Sequence, residues 1–495
     1  MGVVRKQSIL SSIFTYIGFA IGAFNILFLF PKYFKPEELG LTRILLDVAL
    51  LFSTACTLGS IPVTLKFYPF YDSYLPQKKK DLPAITLLQC FIGCAIFKFV
   101  IYFLKPVIIK KFGARSPLFV DYFDLIYPLT ITLAFFSLFE AYAWSLKKTV
   151  LSNALKEFAF RLLTTLFIFL FIWGIINFAQ FIHLYAYIYC IPIIIFLIAL
   201  LRSGSFPINF KISEVTRRLK GKMFAFGSFV FLGALFNIIA RTNDTIIIAS
   251  QSSGGLSDAA VFTIATYLVT VMEVPQRSLI SITTPFISEA WRTRNTGRID
   301  SLYKKTALNL LIAGIAIFCL VLLNIEDISK FLGSSYGSLT LLVVICGLAK
   351  LIDLGTGLNT QILLLSKYWR IDFITNMLLV ILSIPLNYWL TKKYNVIGPA
   401  WGNLIALFTF NAIRLFYIWK LFRLQPFTIN NFKALVTGVI CFLLIYFVPS
   451  IGNIYIDIPL RSILFLGLFG FAIVRFKASE DIIGLVKMIR SKFNW

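Results

Sequence analysis

Charge is scarce in this sequence and histidine almost absent. Asp, Glu, Lys and Arg together make up 14% of its 495 residues, against 59% that are hydrophobic. The single histidine, His183, cannot by itself support a metal site or a His-based triad. No Gly-x4-Gly-Lys-Ser/Thr phosphate loop occurs, so any work must draw on an ion gradient, the membrane potential or the gradient of the substrate itself. The seven cysteines, at 56, 90, 94, 190, 319, 346 and 441, all fall inside apolar runs and join no His or carboxylate cluster. They read as small packing residues. No metal and no cofactor is expected, apart from H+ or Na+ as a coupling ion.

What the sequence has in abundance is long apolar runs. There are 52 phenylalanines, and mean hydropathy is +0.85. A soluble chain could not hide that much apolar surface, and runs of about 20 residues are the length a helix needs to cross hydrocarbon. The runs predict an all-α, polytopic membrane protein with about 14 transmembrane helices: 9–31, 43–65, 83–104, 121–145, 160–177, 181–201, 224–249, 259–287, 306–323, 338–365, 370–390, 396–419, 433–449 and 459–475. The first run follows Arg5 and Lys6, is too long for a signal-peptide core and lacks a cleavage site, so it is expected to stay.

The net charge of +25 is topogenic. With the N-terminus in the cytoplasm, 31 of the 47 Lys and Arg lie inside, 11 outside and five within spans (Lys98, Arg241, Arg277, Lys350 and Arg414). Both termini are therefore expected in the cytoplasm, and the basic charge faces membrane lipids, not nucleic acid. The external loop with Lys105, Lys110, Lys111 and Arg115 goes against the bias.

Two basic segments, Lys211–Lys222 and Ile482–Trp495, carry apolar stripes that fit helices in the headgroup plane. The first divides the chain. The expected organisation is a six-helix lobe at 1–201, an amphipathic cytoplasmic linker at 202–223, a second six-helix lobe at 224–420, two additional helices within 433–475 and a basic amphipathic cytoplasmic tail at 476–495. Weak internal similarity supports the two lobes: Leu39-Gly40 opens the second span and Gly255-Leu256 the eighth. Each then runs to a proline-bearing part, with Pro62 and Pro69 in one, Pro275 and Pro285 in the other.

Ionisable residues at membrane depth are costly, which makes them the functional candidates. Four acid–base pairs stand at helical neighbour spacing: Arg43 with Asp47, Arg241 with Asp244, Glu273 with Arg277, and Lys350 with Asp353. Lys98, Glu140 and Arg414 add single charges, Asn25 and Asn243 polar groups. Those nearer the interfaces are equally readable as structural glue or snorkelling side chains. The central set suits a hydrated cavity for an anionic group, phosphate above all. Candidate substrate-binding residues are Arg277, Lys350, Arg241, Arg43 and Asn25. Candidate ion-coupling residues are Glu273, Asp353 and Asp244.

The stretch Gly357-Leu358-Asn359-Thr360-Gln361-Ile362-Leu363-Leu364, then Asn376, then Leu386-Asn387-Tyr388-Trp389-Leu390, then Tyr394-Asn395-Val396-Ile397-Gly398-Pro399-Ala400 is more specific. It resembles the polysaccharide and oligosaccharide (O-antigen-type) flippase branch of the multidrug/oligosaccharidyl-lipid/polysaccharide exporter superfamily, with Pro399 where those proteins usually have Ala. The 31–40 loop, Arg241-Thr242-Asn243-Asp244 and the Arg277 to Pro285 spacing are similar to the same family. The resemblance implies a V-shaped pair of lobes working by alternating access in a bacterial inner membrane. The substrate it implies is a polyprenyl-diphosphate-linked oligosaccharide for cell-surface polysaccharide biosynthesis, whose prenyl tail lies in a groove beside the two added helices. Transient contact with a polysaccharide polymerase or glycosyltransferases follows from that role. The alternatives are a multidrug/cation antiporter of the same superfamily and a membrane-embedded polymerase or glycosyltransferase. The expected reading is a transporter, not an enzyme.

Overall fold

The computed structural model describes residues 2–204, 206–449, 452–479, 481, 483 and 484. Every element among them is helical. Twelve helices are long and apolar enough to cross a membrane, and a thirteenth span is a bent pair. The expected 160–177 span lies earlier in the chain and is not continuous α-helix. It begins as the short helix Thr149–Asn153, passes through a π-turn at Ala154–Ala159 and ends at Ile172. The protein is a multi-pass, all-α membrane protein.

The chain divides into two compact units, 1–260 and 261–495. The first holds α1 (Gly2–Phe24), α2 (Pro36–Cys56), α3 (Ser60–Tyr74), α4 (Leu82–Phe112), α5 (Ile126–Ser145), α6 (Phe160–Ile172), α7 (Cys190–Arg202) and α8 (Glu214–Gln251). Helix α8 packs along α2 and α3, so it belongs with the first unit. The segment 211–222 does not form a surface helix of its own. Residues 214–222 are the opening turns of the 38-residue α8. Ser213 caps it, its Oγ accepting the Thr216 N–H at 3.2 Å. The buried Asp81 accepts from the Ser213 N–H and the Thr216 hydroxyl, both at 2.7 Å. The second basic segment lies almost wholly outside the described residues.

The second unit holds most of α9 (Gly255–Thr270), then α10 (Glu273–Arg292), α11 (Thr296–Leu332), α12 (Leu339–Gly355), α13 (Asn359–Leu365), α14 (Trp369–Tyr394), α15 (Ile397–Phe422), α16 (Ile429–Tyr446) and α17 (Ile454–Arg475). The two last helices dock on α11 through Ile315, Cys319, Cys441, Phe465 and Phe469. The second of them, α17, is also fixed by Asn324, which donates to the Ser462 hydroxyl at 3.1 Å.

Two spans are broken in the same way. Between α2 and α3 the chain turns through Leu58 and Gly59, both at positive φ, and Pro62 is the third residue of the new helix. Between α9 and α10 the axis bends by 47°, and Pro275 is again the third residue. A proline there is tolerated because the N–H it lacks would have no intrahelical partner in the first turn. The bend falls just before Glu273, so Glu273 and Arg277 share one unbroken helix.

Candidate anion-binding cluster

The break before α10 places Glu273, Gln276 and Arg277 in the opening turns of a new helix, where an acidic residue is favoured by the exposed N–H groups. The facing helix, α12, carries Lys350 and Asp353 one turn apart. Arg277 Nη2 donates to Glu273 Oε2 at 3.0 Å. Lys350 Nζ lies 3.2 Å from Glu273 Oε1 and donates to Asp353 Oδ2 at 2.9 Å. Gln276 Nε2 closes the ring by donating to Asp353 Oδ2 at 3.3 Å. Two cations and two carboxylates from two helices thus form one neutral ring. Arg277 is 66% exposed, whereas Lys350 is 16% exposed. The guanidinium offers planar paired donors to a solvent-accessible anion, and the ammonium behind it adds a second positive charge.

A polar line leads from this ring into the unit. The Thr356 hydroxyl reaches the Asp353 carbonyl at 2.8 Å and the Asn411 amide oxygen at 2.9 Å. Asn359 donates to the same Asn411 oxygen at 3.3 Å, and Tyr303 donates to Asn359. Thr356 and Asn411 also line an apolar groove of about 970 Å³ between α11, α12, α15 and α16, walled by Ile315, Phe318, Leu351, Phe408 and Phe432. The groove and the ring are therefore joined by shared polar residues within one unit.

The other sequence candidates sit elsewhere. In the first unit, Arg43 Nε donates to Asp47 Oδ2 at 2.8 Å, with Asp47 buried and Arg43 38% exposed. Arg241 and Thr245 lie close enough to act on the same carboxylate. Asp244, one turn on from Arg241, is half-buried. Asn25 is buried, and both ends of its amide are engaged: Nδ2 donates to the Arg161 carbonyl at 3.1 Å, and Oδ1 accepts from the Thr165 hydroxyl at 2.8 Å. It joins α1 to α6. Glu140 accepts from Lys156 at 3.1 Å and from Ser152 at 3.0 Å. Lys98 is exposed.

Arg414 is fully enclosed. Its Nε donates to Thr375 at 2.9 Å and Nη1 to Thr360 at 2.6 Å, while Nη2 donates to the Asp372 carboxylate, and its plane lies 3.9 Å from the centre of the Phe410 ring. Gln276, Thr356, Asn411 and Tyr303 were not expected from the sequence. Gln276, flanked by Pro275 and Arg277, was the readable one. Among the described residues, no group of three or more His, Cys, Asp and Glu could hold a metal ion.

No protein-family model and no curated protein matches this sequence. Solved structures do. The lipid II flippase MurJ, in an inward closed conformation, aligns with a TM-score of 0.74 at 16% identity, over 94% of this chain and 98% of that one. A multidrug resistance MATE-family transporter of the MOP superfamily, in an inward-facing conformation, aligns with a TM-score of 0.65 at 14% identity, over 81% and 95%. This chain has their fold. Within that fold, Asn387 of the resembling stretch packs against Gly402 at the α14–α15 crossing, where a Cβ on the glycine would lie 1.9 Å from its amide oxygen.

Proposed function

We propose that this protein is a flippase. It would carry a polyprenyl-diphosphate-linked oligosaccharide from the cytoplasmic to the outer leaflet of a bacterial inner membrane, for cell-surface polysaccharide assembly. The observation that carries the reading is the junction of an open ring bearing two displaceable cations with an apolar groove inside one unit. An amphiphile with a phosphate head and a long hydrocarbon tail needs both, side by side. The head cannot cross hydrocarbon unaided, because a charge leaving water is strongly disfavoured. Arg277 and Lys350 are the proposed contacts for its phosphates, with Arg241 and Arg43 as a second basic station. The groove is the proposed place of the tail.

The ring also supplies a route to ion coupling. A phosphate that takes Arg277 and Lys350 displaces the Glu273 carboxylate from both. The freed carboxylate is then stabilised by a proton or Na+, and Asp353 is placed to do the same beside Lys350. Asp244 is the proposed coupling residue of the first unit.

The test is transport in reconstituted vesicles of a lipid-linked oligosaccharide loaded on one leaflet. A flippase changes the sidedness of the product and leaves its mass unaltered. A changed mass would establish a polymerase or glycosyltransferase instead, and exchange of organic cations without movement of the lipid would establish the antiporter. External labelling of cysteines placed at 295 and 425 would overturn the proposed cytoplasmic location of the termini.

A further inference from the structure

A second groove lies in the first unit, apart from the ring and its apolar neighbour. Its volume is about 540 Å³, and it runs between the α2–α3 break, the first half of α4 and the first half of α8. Leu88, Ile92, Met223, Phe224 and Phe231 give it a hydrocarbon lining. Two of the polar groups inside it, Gln89 and Thr216, are already engaged. Gln89 donates to the Leu58 carbonyl, left open by the break, at 2.6 Å, and the Thr216 hydroxyl is bonded to Asp81. The charged lining residue, among those described, is Lys220, and it is exposed.

Length and charge select the occupant. From Lys220 to Phe231 the α8 helix rises about 16 Å, close to half of a hydrocarbon core about 30 Å thick. With Lys220 at the headgroup level, a groove of that length reaches the bilayer middle, the extent of one acyl chain. Its mouth belongs to the basic opening of α8, with Arg217, Arg218, Lys220 and Lys222 within six residues. That charge favours an anionic headgroup, and in the expected orientation it faces the cytoplasmic leaflet, where anionic lipids lie. The glycines at the crossing hold the groove's wall. Gly59 adopts a φ of +81°, and a Cβ there would lie 2.7 Å from the Gly227 carbonyl oxygen.

We propose that this groove seats one acyl chain of an anionic glycerophospholipid, with Lys220 holding its phosphate. Such a lipid would bridge α3, α4 and α8 at the break in the second span and hold the two halves of that span in their present relation. The inference stands apart from the transport reading, since none of its residues belongs to the ring.

The test uses the full chain in detergent, titrated with phosphatidylglycerol or phosphatidylcholine, with retention read by native mass spectrometry and stability by thermal unfolding. Phosphatidylglycerol is expected to be retained and to raise Tm, phosphatidylcholine much less. Lys220→Glu replaces an attraction by a repulsion and is expected to weaken phosphatidylglycerol roughly tenfold. Arg217→Glu makes the same charge change outside the groove and is expected to have a small effect. Ser228→Phe, which fills the groove, is expected to abolish retention with the mouth intact. If a variant fails to give a monodisperse protein, Lys220→Gln and Ser228→Leu replace them. Equal losses for Lys220→Glu and Arg217→Glu would overturn the proposal in favour of diffuse attraction. So would equal retention of the two lipids, or an unaffected Ser228→Phe. Displacement of phosphatidylglycerol by equimolar polyprenyl diphosphate would also overturn it, by assigning the groove to another lipid.

Discussion

The second unit places two arginines against carboxylates at membrane depth and builds them oppositely. Arg414 is 1% exposed, and its three nitrogens are all engaged, by Asp372, Thr375 and Thr360. Arg277 is 66% exposed and held by one carboxylate on its own helix. The first arrangement leaves nothing to offer a ligand. Its fork is satisfied, its plane covers Phe410, and any rearrangement would strand a buried charge. The second is a weak, exposed pair beside a second cation, and an incoming anion can replace Glu273 with little loss. Residue type is the same for both, and each is paired with a carboxylate. What separates a structural arginine from a functional one is whether its donors are already engaged.

The comparison predicts opposite phenotypes for the same substitution. Arg414→Ala removes one partner of a buried pair and should cost about 3–5 kcal/mol of stability, with loss of folded protein in solubilised membranes. Arg414→Lys should not rescue it, because one ammonium cannot reach Thr375, Thr360 and Asp372 together. A normal yield and unfolding temperature for Arg414→Ala would erase the distinction from the structural side. Arg277→Ala should cost less than about 1 kcal/mol of stability yet abolish transport, and Arg277→Lys should impair transport substantially for want of paired donors. Transport by Arg277→Ala at the wild-type rate would erase it from the functional side.

Glu273→Gln sharpens the comparison further. It keeps a hydrogen-bond acceptor for Arg277 and removes the charge that a displaced carboxylate must neutralise. The variant should insert normally and transport at a rate that no longer responds to an imposed proton or Na+ gradient. A wild-type protein equally indifferent to both gradients would make Glu273 a mere holder of Arg277.

Much of this arrangement was legible in the sequence, but only along single helices. The apolar runs mark most of the spans, but the expected spans 43–65 and 259–287 ran straight through the breaks beside Pro62 and Pro275. The pairs Glu273 with Arg277 and Lys350 with Asp353 follow from the helical repeat. What crosses between helices was not legible. Lys350 meets Glu273 from 77 positions away, and Arg414 meets Asp372 from 42, with no spacing rule to announce either. The basic stretch 211–222 shows why local patterns mislead. An apolar stripe looks alike on a surface helix and on the opening turns of a longer one. Only the Ser213 cap and its distant partner Asp81 show where α8 begins.

The smallest expected effect belongs to Asn25, which by residue type and depth looked like a ligand contact. It stands on the closed side of the comparison, its amide engaged at both ends by α6. Yet its removal should be mild, for a reason visible in the geometry. The Thr165 hydroxyl that donates to Asn25 also lies 2.8 Å from the Arg161 carbonyl. In Asn25→Ala the hydroxyl turns to that carbonyl, and the carbonyl keeps a side-chain donor in place of the lost amide. Neither partner is stranded, so the cost should be about 1 kcal/mol, the net worth of a hydrogen bond and not the larger penalty of a buried unsatisfied group. The Tm should fall slightly, and the substrate concentration giving half-maximal transport should not move. Asn25→Asp would instead bury a carboxylate against that same carbonyl oxygen and should be much worse for folding. A several-fold rise in the half-maximal concentration for Asn25→Ala, with Tm unchanged, would show that Asn25 meets the substrate and that an engaged amide does not exclude a binding role.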